Sequence, residues 1–74
     1  MAMEVHSIDR SEAWNKKADC YVVKNSGVPV GLLEKQRGSP WKAYVGVGHG
    51  SRFVGSSYEG RGHAIDLIAR EVAQ

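Results

Sequence analysis

The stretch Trp41-Lys42-Ala43-Tyr44-Val45-Gly46-Val47 has the strongest two-residue alternation in this chain of 74 residues. Successive side chains of a strand point to opposite faces, so the stretch predicts a β-strand with two different faces. One face would carry Trp41, Ala43, Val45 and Val47, and the other would carry Lys42, Tyr44 and Gly46. Turn sequences bound this strand on both sides, Arg37-Gly38-Ser39-Pro40 before it and Gly48-His49-Gly50-Ser51 after it.

Further strands are predicted on both sides of this one. Residues 19–24 are rich in β-branched and aromatic side chains, and Asn25-Ser26-Gly27 after them has the composition of a hairpin turn. Residues 28–35 would return as the partner strand, with Pro29 at its start or on a sheet edge. A short last strand is predicted over residues 52–56.

Helical signals lie at the two ends of the chain. From Gly62 onward an apolar stripe recurs at helical spacing, formed by Ile65, Ile68, Ala69 and Val72. Ser11 is a candidate N-cap for a short helix or helical turn over residues 12–18, which as a helix would dock Trp14 on the sheet. Residues 1–10 fit either a short strand or a flexible arm. We therefore predict one α+β domain over residues 1–74. It has an antiparallel sheet of three to four strands, a C-terminal helix packed on one face and a candidate short N-terminal helix.

Size and composition limit the functions that this chain can perform. A domain this short buries only about 60% of its unfolded surface, which leaves little room for a deep, well-supported active site. We therefore predict a protein that is not an enzyme. Cys20 is the only cysteine, so no intrachain disulfide can form, and this fits a cytoplasmic protein. The sequence contains no recognisable signal peptide and no apolar run of membrane-spanning length.

The positive charge is concentrated in the predicted sheet. Residues 24–61 hold six basic and two acidic side chains, a net charge of +4 in a chain whose total is +2. Lys42 and Tyr44 share the strand face that a helix packed on Trp41 would leave open, and other basic residues could join them there. This predicts a nucleic-acid interface formed by Lys24, Lys35, Arg37, Lys42, Tyr44, Arg52 and Arg61.

Other chemistries have weaker support in the sequence. His6, His49, His63 and Cys20 lack the close spacing of a structural zinc site, so no metal is predicted. Cys20 lies inside a predicted strand, where a buried structural thiol is the usual outcome. Gly46, Gly48 and Gly50 lie between two predicted strands rather than before a helix, which is the wrong context for a nucleotide loop. No cofactor is predicted. Gly60-Arg61-Gly62 precedes a helix and could hold the phosphate of a nucleic-acid backbone.

Two families resemble parts of this chain. From Trp41 onward, the order of strand, turn, strand, Gly-rich link and helix resembles the second half of a double-stranded RNA-binding domain. That family's helix begins with clustered lysines, whereas this helix begins Gly62-His63-Ala64-Ile65-Asp66. Residues 19–74, read as hairpins followed by one helix, are similar to the arm-binding domains of phage-type integrases and to many small phage and prophage proteins. Both named families imply nucleic-acid binding.

The sequence thus leads to a small binding module, with nucleic acid as the first predicted partner. The alternative is a protein-binding or inhibitory factor, of phage type, that uses the same surface to meet an acidic protein. A homodimer formed by pairing of sheet edges is a third alternative.

Overall fold

The fold is an antiparallel sheet followed by one helix, seen in a computed structural model that describes residues 2–73. The strands are β1 Met3–Ser7, β2 Asp19–Asn25, β3 Val28–Lys35, β4 Trp41–Val45 and β5 Arg52–Ser57, and the helix is α1 Arg61–Val72. Each strand pairs with its neighbour in sequence, so the spatial order is β1-β2-β3-β4-β5. Short 3₁₀ turns occupy Arg10–Glu12 and Gly48–Gly50. The predicted α+β class, with a C-terminal helix on an antiparallel sheet, is confirmed.

The sheet has one strand more than the three to four predicted. The extra strand is β1, which pairs with β2 along its whole length, from Met3 opposite Asn25 to Ser7 opposite Tyr21. Of the two alternatives predicted for residues 1–10, the structure shows the short strand rather than the flexible arm at Met3–Ser7. An edge strand with only Met3 and Val5 turned inward has a weak pattern, and pairing with β2 satisfies its backbone.

The predicted N-terminal helix over residues 12–18 does not form. A single 3₁₀ turn at Arg10–Glu12 is followed by irregular chain. The Arg10 guanidinium donates to the Lys16 carbonyl at 2.9 Å and to Asp19 Oδ1 at 2.8 Å. Asn15 Oδ1 accepts from the Lys17 amide at 3.0 Å, the local side-chain bond by which asparagine competes with helix. Two turns of helix gain too little to overcome these bonds.

Strand β4 has the two faces that its alternation predicted. Trp41, Ala43 and Val45 face α1 and belong to the main core, in which Val23, Leu33, Ala43, Ala64 and Ile68 are fully buried. The strand ends at Val45 rather than Val47, because Gly46 adopts a left-handed backbone with φ 85°. Val47 is consequently 42% exposed and is not the core residue that the alternation predicted.

The β2–β3 hairpin closes with the predicted tight turn. Asn25 and Val28 are paired, which leaves Ser26 and Gly27 as the two loop residues. Both have positive φ, 51° and 83°. This is the sign that type I′ turns require, and their twist matches the twist of the flanking strands. The turn pairs Lys24 with Pro29, and a bulge between Val23 and Lys24 then shifts the register by one residue, so that Leu32 lies opposite Val22 and Glu34 opposite Cys20.

Candidate functional site

The sheet face opposite α1, called here the open face, carries the candidate site. Lys42 and Tyr44 lie on it, as the alternation of β4 predicted, and their cross-strand partners are Glu34 and Leu32. Irregular chain after β1 covers one part of this face and buries Cys20 against Ala13 and Ala18. The uncovered part forms a cavity of about 460 Å³, lined by Trp14, Leu32, Glu34, Tyr44, Gly48, His49 and Ser51.

Three separate parts of the chain build this cavity. Strands β3 and β4 supply the floor, where Leu32, Glu34 and Tyr44 are adjacent because their strands pair in register. The segment between β1 and β2 contributes Trp14. The 3₁₀ turn Gly48–Gly50, enabled by the positive φ of Gly46 and Gly48, contributes His49. A cavity of this volume falls within the range of about 300–1,000 Å³ typical of small-ligand sites.

Glu34 is the acidic group of the cavity, and it is only 7% exposed. Its Oε2 accepts a hydrogen bond from Asn15 Nδ2 at 2.9 Å, and its Oε1 accepts one from the Tyr44 hydroxyl at 3.2 Å. Across residues 2–73, no Lys, Arg or His nitrogen lies within 4.0 Å of this carboxylate, the opposed Lys42 included. This buried carboxylate is therefore hydrogen-bonded by two neutral donors and has no ion-pair partner in the described chain.

Aromatic rings line the cavity or lie next to it. The rings of Tyr44 and Phe53 meet edge to face, with centroids 5.6 Å apart and an interplanar angle of 65°. Trp14 is 46% exposed and Phe53 is 53% exposed, although both are large apolar side chains. Exposed aromatic groups beside an apolar cavity are typical of a surface that binds a partner.

Burial and charge keep two groups of this face protonated. Burial raises the pKa of the Tyr44 phenol above its ordinary value of 10.0, and the charge and hydrogen bond of Glu34 raise it further. Burial likewise raises the pKa of the Cys20 thiol above 9.0, against the lowering effect of its bond to the Asn15 backbone. Tyr44 therefore remains a hydrogen-bond donor to Glu34, and Cys20 remains a poor nucleophile at neutral pH.

These raised pKa values predict a loss of stability in alkaline solution. The folded state holds the two protons more tightly than the unfolded state does. The contribution of these two protonated groups to the free energy of unfolding is therefore complete below about pH 9 and declines as pH rises above it. We expect the urea midpoint at pH 10 to be lower than at pH 8, and Cys20→Ala to reduce the difference. A midpoint that stays constant between pH 8 and pH 10 would contradict the assigned environments of both groups.

The basic residues predicted to form one interface are dispersed. Lys24 and Lys42 lie on the open face, whereas Lys35 follows Glu34 along β3 and so points to the other face. Arg52 pairs with Val45, and its guanidinium bonds Glu71 of α1 at 3.3 Å. Arg37 lies exposed in the β3–β4 turn, and Arg61 lies exposed at the start of α1. The expectation that Lys35 and Arg52 join the open face is wrong, because segment charge does not specify which face a strand residue takes.

Glu34, Trp14, Leu32 and His49 are cavity residues that the sequence analysis did not assign to a binding site. One signal for them was present. In Gly31-Leu32-Leu33-Glu34, two consecutive leucines occupy opposite faces of one strand. An apolar residue on each face indicates that both faces are at least partly covered. Because the helix accounts for only one face, the pattern required a second covering element such as the segment that carries Trp14.

A serine, a histidine and a glutamate meet at the start of α1. His63 Nδ1 lies 2.7 Å from the buried Ser57 Oγ and 3.4 Å from Glu59 Oε2. A catalytic relay needs the serine and the acid on opposite ring nitrogens, whereas here both contact Nδ1. Ser57 Oγ also accepts from the Glu59 amide at 3.0 Å. These contacts tie the end of β5 to the first turn of α1 and are structural.

Comparison of the chain with protein-family models, with curated proteins and with solved structures finds no match. The resemblances to double-stranded RNA-binding domains and to integrase arm-binding domains therefore stay predictions. Within residues 2–73, no three His, Cys, Asp or Glu side chains are grouped so that they could hold a metal ion. No helix in that range has both the length and the apolar character to cross a membrane.

Proposed function

We propose that this chain is a non-enzymatic binding module that docks a partner protein on the open face. The observation that carries the proposal is the apolar cavity of about 460 Å³, bordered by Trp14 and Tyr44 on the sheet face that α1 leaves uncovered. Binding is favoured over catalysis because Cys20 is a buried thiol and His63 serves a structural bond to Ser57. The free thiol of Cys20 also supports a reducing, cytoplasmic setting for the protein.

A protein partner is favoured over nucleic acid by the charges of the open face. The basic side chains Lys24 and Lys42 share that face with the acidic side chains Glu4 and Glu34. A phosphate backbone placed on the cavity would meet the Glu34 carboxylate, which opposes binding. Exposed tryptophan and other aromatic side chains, by contrast, supply much of the affinity in protein interfaces.

The proposal is tested by replacing Trp14. Proteins retained by the wild-type chain from a nuclease-treated extract would be identified, purified and titrated against it by calorimetry. Trp14→Ala should weaken the reconstituted complex by about 2 kcal/mol, or roughly thirtyfold in Kd, because it removes an aromatic anchor of the interface.

Tyr58→Ala is the matched control, since Tyr58 is 82% exposed and does not line the cavity. This variant should bind as the wild type does. Equal affinities for the wild type and Trp14→Ala would refute docking at the cavity.

Nucleic acid is the second candidate, supported by the shared orientation of Lys42 and Tyr44 on the open face. Electrostatic binding of this kind weakens steeply as salt rises. Titration of the purified chain with random duplex at low and at moderate salt separates the two candidates. No binding to the duplex at low salt would exclude this candidate.

A further inference from the structure

We infer that the cavity on the open face receives the guanidinium group of an arginine side chain from the partner protein. This inference rests on the proposed function, because it specifies what the docked protein inserts beside Glu34. It also replaces the acidic partner that the net charge of the sheet suggested with a partner that is basic at the point of contact.

The first argument is the uncompensated charge of Glu34. A buried carboxylate is strongly disfavoured unless a cation or hydrogen bonds stabilise it. Here only Asn15 and Tyr44 bond to it, and both are neutral donors. Among the described residues no cationic nitrogen lies within 4.0 Å of it, although Glu34 lines a cavity that is open to solvent. A cationic ligand would complete this environment, whereas a phosphate or carboxylate ligand would be repelled.

The second argument is the hydrogen-bonding capacity that remains at the carboxylate. Each of its two oxygens accepts one bond, from Asn15 Nδ2 and from the Tyr44 hydroxyl respectively. An ionised carboxylate has about four acceptor positions, so about two stay free. A guanidinium carries donors in a planar fork that can bond both oxygens of one carboxylate at the same time.

The third argument is the apolar and aromatic lining, which favours arginine over lysine. Trp14, Tyr44 and His49 place flat rings around the cavity, and Leu32 adds aliphatic surface. A guanidinium stacks on aromatic faces and is weakly hydrated, whereas an ammonium is a compact and strongly hydrated charge. Desolvation in such a cavity therefore costs an arginine side chain less than it costs a lysine side chain.

The test uses the ¹⁵N-labelled full chain and the peptide acetyl-Gly-Arg-Gly-amide. The chain has two indole N–H signals, from Trp14 in the cavity and from Trp41 on the helix face of the sheet. Titration with the arginine peptide should shift the Trp14 signal and leave the Trp41 signal in place. The corresponding peptides with citrulline or lysine should bind at least about fivefold more weakly, since they lack the charge or the planar fork.

Variants then assign the binding to Glu34. Glu34→Gln keeps the size of the side chain and removes its charge, so affinity for the arginine peptide should fall at least about tenfold. Glu59→Gln is the matched control, because Glu59 is exposed beside His63 and does not line the cavity. If the spectrum of Glu34→Gln shows that this variant is unfolded, the inference is tested by the wild-type chain alone. The comparison is then between its affinities for the arginine and the citrulline peptide.

Each remaining outcome overturns the inference. Equal binding of the citrulline and arginine peptides would show that charge is not recognised. A Trp14 shift with guanosine monophosphate and none with the arginine peptide would indicate a nucleobase site, and no shift with any probe would exclude the cation site. The Trp14→Ala measurement with the partner protein is independent of these peptides. Docking at the cavity can therefore stand when the arginine inference fails.

Discussion

Replacing Ile68 by alanine is expected to lower the free energy of unfolding by about 3–4 kcal/mol. Ile68 is fully buried in the middle of α1 and belongs to the cluster that includes Leu33, Val23 and Ala43 of the sheet. Truncation removes three buried carbon atoms and leaves a void that the surrounding strands cannot fill, since their backbones are hydrogen-bonded to each other.

The loss is large in relation to the total stability of a chain of this size. At roughly 0.05–0.15 kcal/mol per residue, a domain of 74 residues has about 4–11 kcal/mol in all. The melting temperature should therefore fall by about 15–25 °C, and part of the population should be unfolded at physiological temperature. Urea denaturation followed by far-ultraviolet circular dichroism measures the change directly.

Val28→Ala is the control for this substitution, because it also shortens an apolar side chain but at a position that is 61% exposed. Its cost should stay below about 0.5 kcal/mol. If Ile68→Ala cost no more than this control, α1 could not be the element that closes the main core.

Gly31→Ala is expected to destabilise the chain by about 3 kcal/mol, because it adds a carbon atom where there is no space for one. A Cβ atom at Gly31 would lie 2.6 Å from the backbone oxygen of Tyr44 and 3.0 Å from two side-chain carbons of Ile68. The Tyr44 oxygen belongs to strand β4, which pairs with β3 on one side and β5 on the other, so it cannot move without disturbing the sheet. Here the glycine provides space for the helix and the adjacent strand rather than a special backbone conformation.

Gly62→Ala provides the comparison. No atom lies within 4 Å of the position that its Cβ would take, and Gly62 is in the first turn of α1, where alanine is the better helix former. This variant should gain about 0.5 kcal/mol. Ile68→Val combined with Gly31→Ala should recover only part of the loss, since the contact with the Tyr44 oxygen remains. Thermal melting of the four chains checks both expectations, and a Gly31→Ala chain as stable as the wild type would contradict the close approach of α1 to β3.

The local sequence pattern was sufficient to predict most elements of the fold but insufficient to predict strand β1. The alternation of β4 predicted which of its residues face the helix, and the spacing of Ile65, Ile68 and Val72 predicted the packed stripe of α1. Strand β1 has no comparable pattern, because an edge strand is stabilised by its hydrogen bonds to β2 more than by its own side chains. In the segment after it, the Asn15 side chain bonds to the Lys17 amide, a group that a helix over residues 12–18 would use.

The candidate site, like the fold, was predictable from the sequence only in part. The sequence by itself determined that Lys42 and Tyr44 point away from the helix, because side chains of a strand alternate whatever surrounds them. Only the tertiary structure decided which residues contact Lys42 and Tyr44 on the open face. Trp14 comes to Tyr44 from a distant part of the chain, His49 comes from the turn after β4, and Glu34 reaches it through the pairing of β3 with β4. Alternation is a local property of the backbone, whereas a cavity and the burial of its carboxylate exist only once separate segments enclose the same space.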